Sequence, residues 1–248
     1  ALAPLVTLPW DMTDLMYQVA GFTGDISALT AHIADSLAGD IQEAAAGHDS
    51  PMKAALWSLS QSRKPASILG AEGRYTRESR TGRYAQFMSF GQMVGSGPPL
   101  FRVRQLLALV DAGLAHFLGD HPTVSIEADH FTLTSGPRSA SAPTLVDAFM
   151  HRPDIRTAGD SMTRCLVDSG RVRPFPDHGQ PTGSPETDGT TRRTVHPDGE
   201  LDARLHIVGI PTYSQWPDTT ISPMPGTDPL MLQETDKAAG SLLAVVRS

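Results

Sequence analysis

The stretch Leu205-His206-Ile207-Val208-Gly209-Ile210-Pro211 decides the fold class, because a short apolar, β-branched run closed by Gly and Pro predicts a buried strand. After a polar loop, Pro225-Gly226-Thr227-Asp228-Pro229 opens a predicted helix that extends from Asp228 to Val246, with Asp or Thr at its cap. A strand that leads through a loop to a helix N-terminus directs unpaired N–H groups beyond the sheet edge, where they suit an anionic or electron-rich ligand atom. The candidate binding residues are Gly209, Ile210, Pro211, Pro225, Gly226, Thr227 and Asp228.

The loop between these elements is predicted to face a ligand. It carries polar side chains, among them Asp218 and Thr219, but Trp216 and Met224 make it too apolar for simple disorder. Loops of roughly fifteen residues are uncommon unless they are functional or disordered. Tyr213, Trp216 and Met224 are therefore candidates for contact with a substrate.

Upstream, the periodicity changes near residue 100. Helical spacing of apolar residues predicts helices over 10–47 and from Ser50-Pro51 onward, with no strand pattern before about residue 85. The later segments predict a mixture: a helix over 101–118, a strand over 123–134, helices over 142–150 and 161–169, an edge strand over 171–175, and a hairpin around Asp198-Gly199. We expect a mostly helical module or insertion over 1–100 and an α/β domain over 101–248.

Composition excludes several classes of protein. A net charge of −7 argues against nonspecific binding of nucleic acid, which needs a basic surface. No run of about 18 apolar residues is present, so we expect no membrane span and a cytoplasmic protein. The single cysteine, Cys165, excludes an internal disulfide framework, and we expect it to be a small buried hydrophobic residue.

Four arginines, Arg74, Arg77, Arg80 and Arg83, recur at every third residue. Guanidinium groups bind phosphates, including those of dinucleotide cofactors. The neighbouring Glu72 and Glu78 equally suit an exposed segment with ion pairs. Both interpretations stay open.

The familiar catalytic motifs are absent from the sequence. The nine histidines form no metal-binding pattern, and there is no Gly-x-Ser-x-Gly elbow of a serine hydrolase. A strand leading into Gly-x-Gly-x-x-Gly, which binds a dinucleotide pyrophosphate, is also missing. We therefore predict no metal site and assign no catalytic residue.

Several segments in order resemble the C-terminal half of a family of bacterial, mainly actinobacterial, FAD/NAD(P)-binding proteins, themselves distantly similar to flavin-dependent N-hydroxylating monooxygenases. They are Ser50-Pro51-Met52-Lys53-Ala54-Ala55-Leu56, Gly97-Pro98-Pro99, Arg104-Gln105-Leu106-Leu107-Ala108-Leu109-Val110-Asp111-Ala112-Gly113-Leu114, and the ending from Val208-Gly209-Ile210-Pro211-Thr212 to Pro225-Gly226-Thr227-Asp228. The resemblance covers nearly the whole chain.

This resemblance implies an α/β fold that is the C-terminal part of a two-dinucleotide-binding, Rossmann-like flavoprotein, with a helical N-terminal module. It implies FAD near residues 209–211 and 225–228, with the last helix approaching the isoalloxazine, and NADPH or NADH as reductant. Family members carry the FAD fingerprint in an N-terminal half that is absent here. The implied partners are that half, from the same precursor or a separate chain, and a small-molecule substrate.

Two functions follow from the sequence. The first is the C-terminal portion of an FAD-dependent oxidoreductase, of monooxygenase or oxidase type, in bacterial secondary metabolism. The second is a flavin-free, cyclase-like enzyme or a small-molecule binding protein on a degenerate flavoprotein fold, suggested by the missing glycine fingerprint. Binding of flavin distinguishes them.

Overall fold

The computed structural model describes residues 15–95, 97–149, 152–219 and 228–247. Four of the predicted ligand residues, Met224, Pro225, Gly226 and Thr227, lie outside the described residues. The chain divides into two compact units: unit 1 comprises Ala1–Trp57 and Met93–Ala148, and unit 2 comprises Ser58–Gln92 and Phe149–Ser248. Each unit includes residues from both sides of residue 100, and the predicted division at that residue stays a prediction.

The structure is mixed α/β with small antiparallel sheets, which confirms the predicted class at that level. The described helices are α1 (Ile26–Ala46), α2 (Pro51–Gly70), α3 (Arg77–Thr81), α4 (Arg83–Gly95), α5 (Leu100–Asp111), α6 (Ser161–Asp168) and α7 (Leu230–Arg247). The strands are β1 (Thr123–Ile126), β2 (Phe131–Ser135), β3 (Arg138–Ala142), β4 (Pro174–Asp177), β5 (Gln180–Pro185), β6 (Arg193–Val195) and β7 (Leu201–His206).

Unit 1 contains α1, α5 and a three-stranded sheet in the order β1-β2-β3. The Asp25 side chain caps α1 by accepting a hydrogen bond from the Ala28 N–H at 2.8 Å. The buried Arg138 joins the sheet to the start of α1, because its guanidinium donates to the carbonyls of Leu118 at 2.6 Å and Gly24 at 3.0 Å.

Three predictions for unit 1 were wrong in their boundaries or type. The single strand over 123–134 is a hairpin of β1 and β2, closed by the Glu127 N–H donating to the His130 carbonyl. No helix follows Ala142 in the described residues up to 149, because Ala142 itself pairs with Phe131 in the sheet. The helix over 101–118 ends at Asp111, where Gly113 adopts a φ of 69° and reverses the chain.

Unit 2 contains two hairpins, β4-β5 and β6-β7, with α7 packed against β7. The predicted turn at Asp198-Gly199 is confirmed: it joins β6 to β7, and Gly199 has a φ of 94°. The predicted edge strand over 171–175 is shifted, since β4 begins at Pro174. The predicted final helix is confirmed to within two residues, as α7 begins at Leu230.

The predicted buried strand over 205–211 was wrong in extent. Strand β7 ends at His206, Gly209 has a φ of 85°, and Ile210–Thr212 form a 3₁₀ turn. A positive φ breaks an extended strand, and Pro211 has no N–H to continue a ladder. The decisive stretch therefore contributes the end of one strand and a turn.

Most buried apolar side chains of the described residues lie in unit 2, including Met88, Phe90, Phe175 and Trp216. The expectation for Cys165 was wrong, since its side chain is exposed on the short helix α6. Among the described helices, none is long and apolar enough to cross a membrane.

Candidate functional site

A cavity of about 240 Å³ opens in unit 2 beside the indole of Trp216. Its walls come from the end of α2, the turn that follows it, the loop before β6, and the first two turns of α7. We call it the Trp216 pocket. The charged and amide side chains that line it are Glu72, Arg74, Arg192, Gln233, Glu234 and Lys237.

Trp216 is one of the predicted substrate-contact residues, and the structure fixes its orientation. Its indole N–H donates to the Thr187 hydroxyl at 2.7 Å. The neighbouring Gln215 amide accepts from the Thr187 N–H at 2.8 Å and donates to the Thr187 carbonyl at 2.7 Å. Residues 215–216 are therefore clamped to the segment that precedes β6, so the indole forms a rigid wall.

One face of the indole lies against Arg192, whose Cζ is 3.7 Å from the ring centroid. Arg192 makes a two-pronged ion pair with Glu234 of α7, and Nη2 donates to Oε1 at 2.8 Å. Its Nη1 donates to the Asp188 carbonyl at 2.9 Å. Both side chains of the pair are buried, so the guanidinium has an acceptor on each nitrogen and an aromatic face beneath it.

A tight turn presents Arg192 to the pocket. Arg192 has a φ of 61°, and Asp188 holds the turn by accepting hydrogen bonds from the N–H groups of Thr190 at 3.0 Å and Thr191 at 2.7 Å. Partial burial acts to raise the pKa of Asp188, but the hydrogen bonds from Thr191 and Thr190 lower it below its ordinary value.

The outer part of the pocket carries charges with weaker constraints. Lys237 donates to Glu234 at 3.2 Å, and Arg74 donates to Glu72 at 2.7 Å, with all of these groups except Glu234 at least 39% exposed. The lining has three cations, Arg74, Arg192 and Lys237, against two carboxylates. This excess of one positive charge favours a small ligand that carries net negative charge.

A second buried ion pair lies at the end of the described part of the predicted ligand loop. Arg63 of α2 donates from Nη2 to the Asp218 carboxylate and from Nη1 to the Gly91 carbonyl at 3.2 Å. The Arg63 Nε is buried and has no hydrogen-bond acceptor among the described residues. Asp218 has a φ of 65°, so the loop is held here in a left-handed conformation.

The burial of this second pair shifts the pKa of its carboxyl group. Burial raises the pKa of Asp218, the Arg63 charge and hydrogen bond lower it, and the net direction is upward. Burial likewise raises the pKa of Tyr84 and of Tyr213, and the Tyr213 hydroxyl accepts a hydrogen bond from Gln92 at 3.2 Å. Tyr213, also predicted to touch substrate, is therefore part of this cluster.

The other predicted binding residues lie elsewhere in unit 2. Gly209, Ile210 and Pro211 form the start of the 3₁₀ turn after β7 and do not line the Trp216 pocket. Asp228 is exposed just before α7, where Lys64 donates to its carboxylate at 3.1 Å and to its carbonyl. The hydrogen bonds from Lys64 and Gln233 lower the pKa of Asp228.

The four arginines do not act together. Arg74 lines the pocket, whereas Arg80 pairs with Asp177 at 3.0 Å and donates to the Ser214 carbonyl at 2.6 Å. Arg77 and Arg83 begin α3 and α4 and are exposed. The pair of Glu72 with Arg74 matches the ion-pair interpretation, and phosphate binding stays a prediction. Within the described ranges, no group of three metal-ligating side chains occurs.

Sequence reasoning missed Arg63, Lys64, Arg192 and Glu234. The signal for Arg63 was its place on α2, four residues before Ser67 and seven before Gly70, since small residues on one helix face leave room for a long buried side chain. Glu234 and Arg192 are 42 residues apart, and nothing in either local sequence indicates their contact.

Comparison with known proteins gives three curated relatives. A nitrosuccinic acid synthase from Aspergillus oryzae is 27% identical over 247 residues, which cover 96% of this chain. Two L-aspartate N-monooxygenases described as nitrosuccinate-forming, from Streptomyces cremeus and Streptomyces davaonensis, are 28% and 29% identical over 252 residues, or 95% and 96% of this chain. The chain spans only 37–38% of the length of these relatives. No protein-family model matches it.

Proposed function

We propose that this chain is the C-terminal portion of an FAD-dependent N-monooxygenase that acts on the amino group of a small aminodicarboxylate such as L-aspartate. The observation that carries the proposal is the similarity to three proteins named for nitrosuccinate formation, each over at least 95% of this chain. The two that are named as monooxygenases support oxidative chemistry on nitrogen over the flavin-free alternative.

The reaction that we propose is the first N-oxidation. The amine, O2, NAD(P)H and one proton give the N-hydroxyamine, water and NAD(P)+, so one oxygen atom enters the new N–O bond and the other leaves as water. Two electrons come from the nicotinamide. When bound, the flavin supplies the transfer of these electrons to oxygen.

The Trp216 pocket is our candidate for the substrate cavity. L-Aspartate carries one net negative charge at neutral pH, which complements the single excess positive charge of the lining. Lys237 and Arg74 are the partly exposed cations of the lining, so we propose that they bind the two carboxylates. Trp216 and the fixed Arg192 then exclude water from one wall.

The residues at the start of α7 fit an anionic part of a flavin. The helix N-terminus carries partial positive charge, and the Lys64 ammonium beside it is paired with the Asp228 carboxylate. A lysine ammonium has three donors, and two of those on Lys64 bind Asp228, which leaves one to bind another acceptor. Added at Gly209, a Cβ would meet no atom of the described residues within 4 Å.

The test is a product assay on the protein as its gene encodes it. We expect bound flavin, NAD(P)H oxidation that depends on L-aspartate, and an N-oxidised product that mass spectrometry detects with one oxygen atom from ¹⁸O2. Lys64→Gln should weaken flavin retention, whereas Lys53→Gln, which removes a surface pair with Asp40 in unit 1, should not.

Two results would contradict the proposal. Protein that binds no flavin, in any reconstitution, would favour the non-redox enzyme or binding protein. A flavoprotein that oxidises NAD(P)H but never transfers oxygen to the amine would place the chain among oxidases or other flavoenzymes.

A further inference from the structure

Helix α7 carries apolar side chains on two opposite faces. One face carries Leu230, Glu234, Ala238 and Ser241, all buried, and packs against β7. At about 100° per residue, Leu232, Ala239, Leu243 and Val246 fall on the opposite face. Residues 233–237 are polar, so the second face is apolar mainly towards the C-terminal end of the helix.

The second face is open in this structure. The exposed fractions of Leu232, Leu243 and Val246 are 46%, 57% and 84%, and Leu242 beside them is 45% exposed. We call Leu232, Ala239, Leu243 and Val246 the outer stripe of α7. Single exposed apolar residues are ordinary, but Leu242, Leu243 and Val246 are grouped at the C-terminal end of α7, and Leu232 lies on the same side beyond Thr235 and Asp236. Such a group of exposed apolar side chains marks an interaction surface.

The spacing of the stripe indicates what would cover it. Its members are separated by seven, four and three residues, the pattern of a seam that packs along a second helix or an apolar groove. By helical angle the charged residues nearest to the stripe are Asp236 and Arg247, which carry opposite charges, so this side has no net charge to attract a basic or an acidic partner. The occupant is therefore itself apolar at the contact.

We propose that the outer stripe of α7 docks against the part of the same flavoprotein that lies outside this chain. The chain covers 95–96% of its own length in each match but only 37–38% of the relatives, so most of each relative is additional polypeptide. Helix α7 would then connect the Trp216 pocket, which its inner face completes, to the additional polypeptide, which its outer face contacts. The identity of the docking partner rests on the proposed function. The inference that some protein surface packs against the stripe does not.

Cysteine labelling tests the proposal. In a Cys165→Ser background, which removes the chain's own exposed thiol, Leu243→Cys and the control Glu200→Cys are introduced singly into the protein as its gene encodes it. Glu200 is an exposed polar residue next to the β6-β7 turn. Maleimide labelling is followed peptide by peptide. We expect Leu243→Cys to react at least about tenfold more slowly than Glu200→Cys, and the rates to converge in urea.

A photo-crosslinker attached at Leu243→Cys then identifies the occupant. A crosslink to a peptide of the same protein from outside these 248 residues supports the proposal. A crosslink to the same region of a second copy, with a dimer that dilution dissociates, overturns it. Equal labelling rates at the two cysteines also overturn it, since the stripe is then exposed to solvent. Because no arm measures oxidation, failure of the N-monooxygenase proposal would leave these outcomes readable.

Discussion

The two buried arginine–carboxylate pairs of unit 2 differ in how completely their hydrogen bonds are satisfied. Arg192 meets Glu234 through two nitrogens, donates to the Asp188 carbonyl through the third, and lies on the Trp216 ring. Arg63 reaches Asp218 through one nitrogen and leaves its buried Nε without an acceptor among the described residues.

We call the Arg192–Glu234 pair structural, because each guanidinium nitrogen has an acceptor. We call the Arg63–Asp218 pair poised, because the pKa of Asp218 is raised. Desolvation of a buried charge is offset only when geometry and hydrogen bonds are nearly complete. For Arg192 and Glu234 they are complete. For Asp218 the upward pKa shows that burial outweighs the attraction of Arg63. The two pairs are similarly buried, so burial alone does not distinguish them, whereas their hydrogen-bond geometry does.

The largest expected effect is at Glu234. Glu234→Gln removes the charge opposite a guanidinium that is almost fully buried, and we expect a loss of about 3 kcal/mol in the free energy of unfolding. Urea denaturation monitored by circular dichroism measures it. Asp236→Asn, an exposed position on the same helix, is the control, with an expected change within about 0.5 kcal/mol. Equal effects of the two variants would show that the pair is not structural.

Gly91→Ala tests whether Arg63 is held in place. The added Cβ would lie 2.5 Å from Cδ and 2.7 Å from Cγ of Arg63, so the arginine stem or α4 must move. We expect a loss of about 1–3 kcal/mol in unfolding free energy by thermal or urea denaturation. Gly39→Ala, where no atom of the described residues lies within 4 Å of the new Cβ, should instead stabilise α1 by about 0.5–1 kcal/mol. If Gly91→Ala were equally harmless, Arg63 would be mobile.

Asp218→Asn should behave unlike Glu234→Gln. Because the folded-state pKa of Asp218 is raised, the folded protein binds a proton more tightly than the unfolded chain does. Wild-type stability therefore falls as the pH rises from about 4 through that raised pKa, and the Asn variant lacks this fall. At neutral pH the variant removes a desolvated carboxylate but leaves the buried Arg63 without its counter-charge, so we expect a smaller loss in unfolding free energy than for Glu234→Gln.

The pH profile is the measurement, with unfolding free energies taken in half-unit steps. Asp202 supplies the opposite sign, since the Arg171 hydrogen bonds hold its pKa well below the ordinary value. The stability that Asp202 contributes is present above the unfolded pKa and disappears as the pH falls below about 4, a loss that Asp202→Asn should remove. Parallel profiles for wild type and Asp218→Asn would contradict the poised state of the second pair.

The smallest expected effect is at Lys237. Its pair with Glu234 is partly exposed and spans one helical turn, so Lys237→Gln should cost about 0.5 kcal/mol or less in unfolding free energy. A loss near that of Glu234→Gln would mean that Lys237, rather than Arg192, balances the buried carboxylate.

Local sequence predicted the elements whose determinants are local. The β6-β7 turn followed from Asp198-Gly199, and α2 from the proline at its first turn, because turn and cap preferences depend on a few adjacent residues. It failed at 123–134 and 142–150, where pairing with a neighbouring strand decided the outcome. The mixed α/β class was thus predictable, and the hairpin within it was not.

The candidate site likewise contains one residue that local sequence predicted and partners that it did not predict. Trp216 was predicted because it makes a long polar loop too apolar for simple disorder, and in the structure it lines the pocket. Its partners Arg192 and Glu234 come from segments far apart in the chain, and only packing brings them together. The assignment of Gly226 as a cofactor contact stays a prediction, since that residue lies outside the described ranges.

The stacking of Arg192 on Trp216 has a consequence for the entropy of ligand binding. A long side chain that is ordered only on association costs about 0.5–1.5 kcal/mol in lost rotamers. Arg192 has already lost that freedom on folding, so the inner wall of the pocket is preorganised. It offers a ligand shape rather than charge, because an anion that sought the Arg192 guanidinium would have to displace Glu234. Ionic recognition then falls to the exposed ends of Arg74 and Lys237, so the buried wall selects a ligand by size and the exposed cations select it by charge.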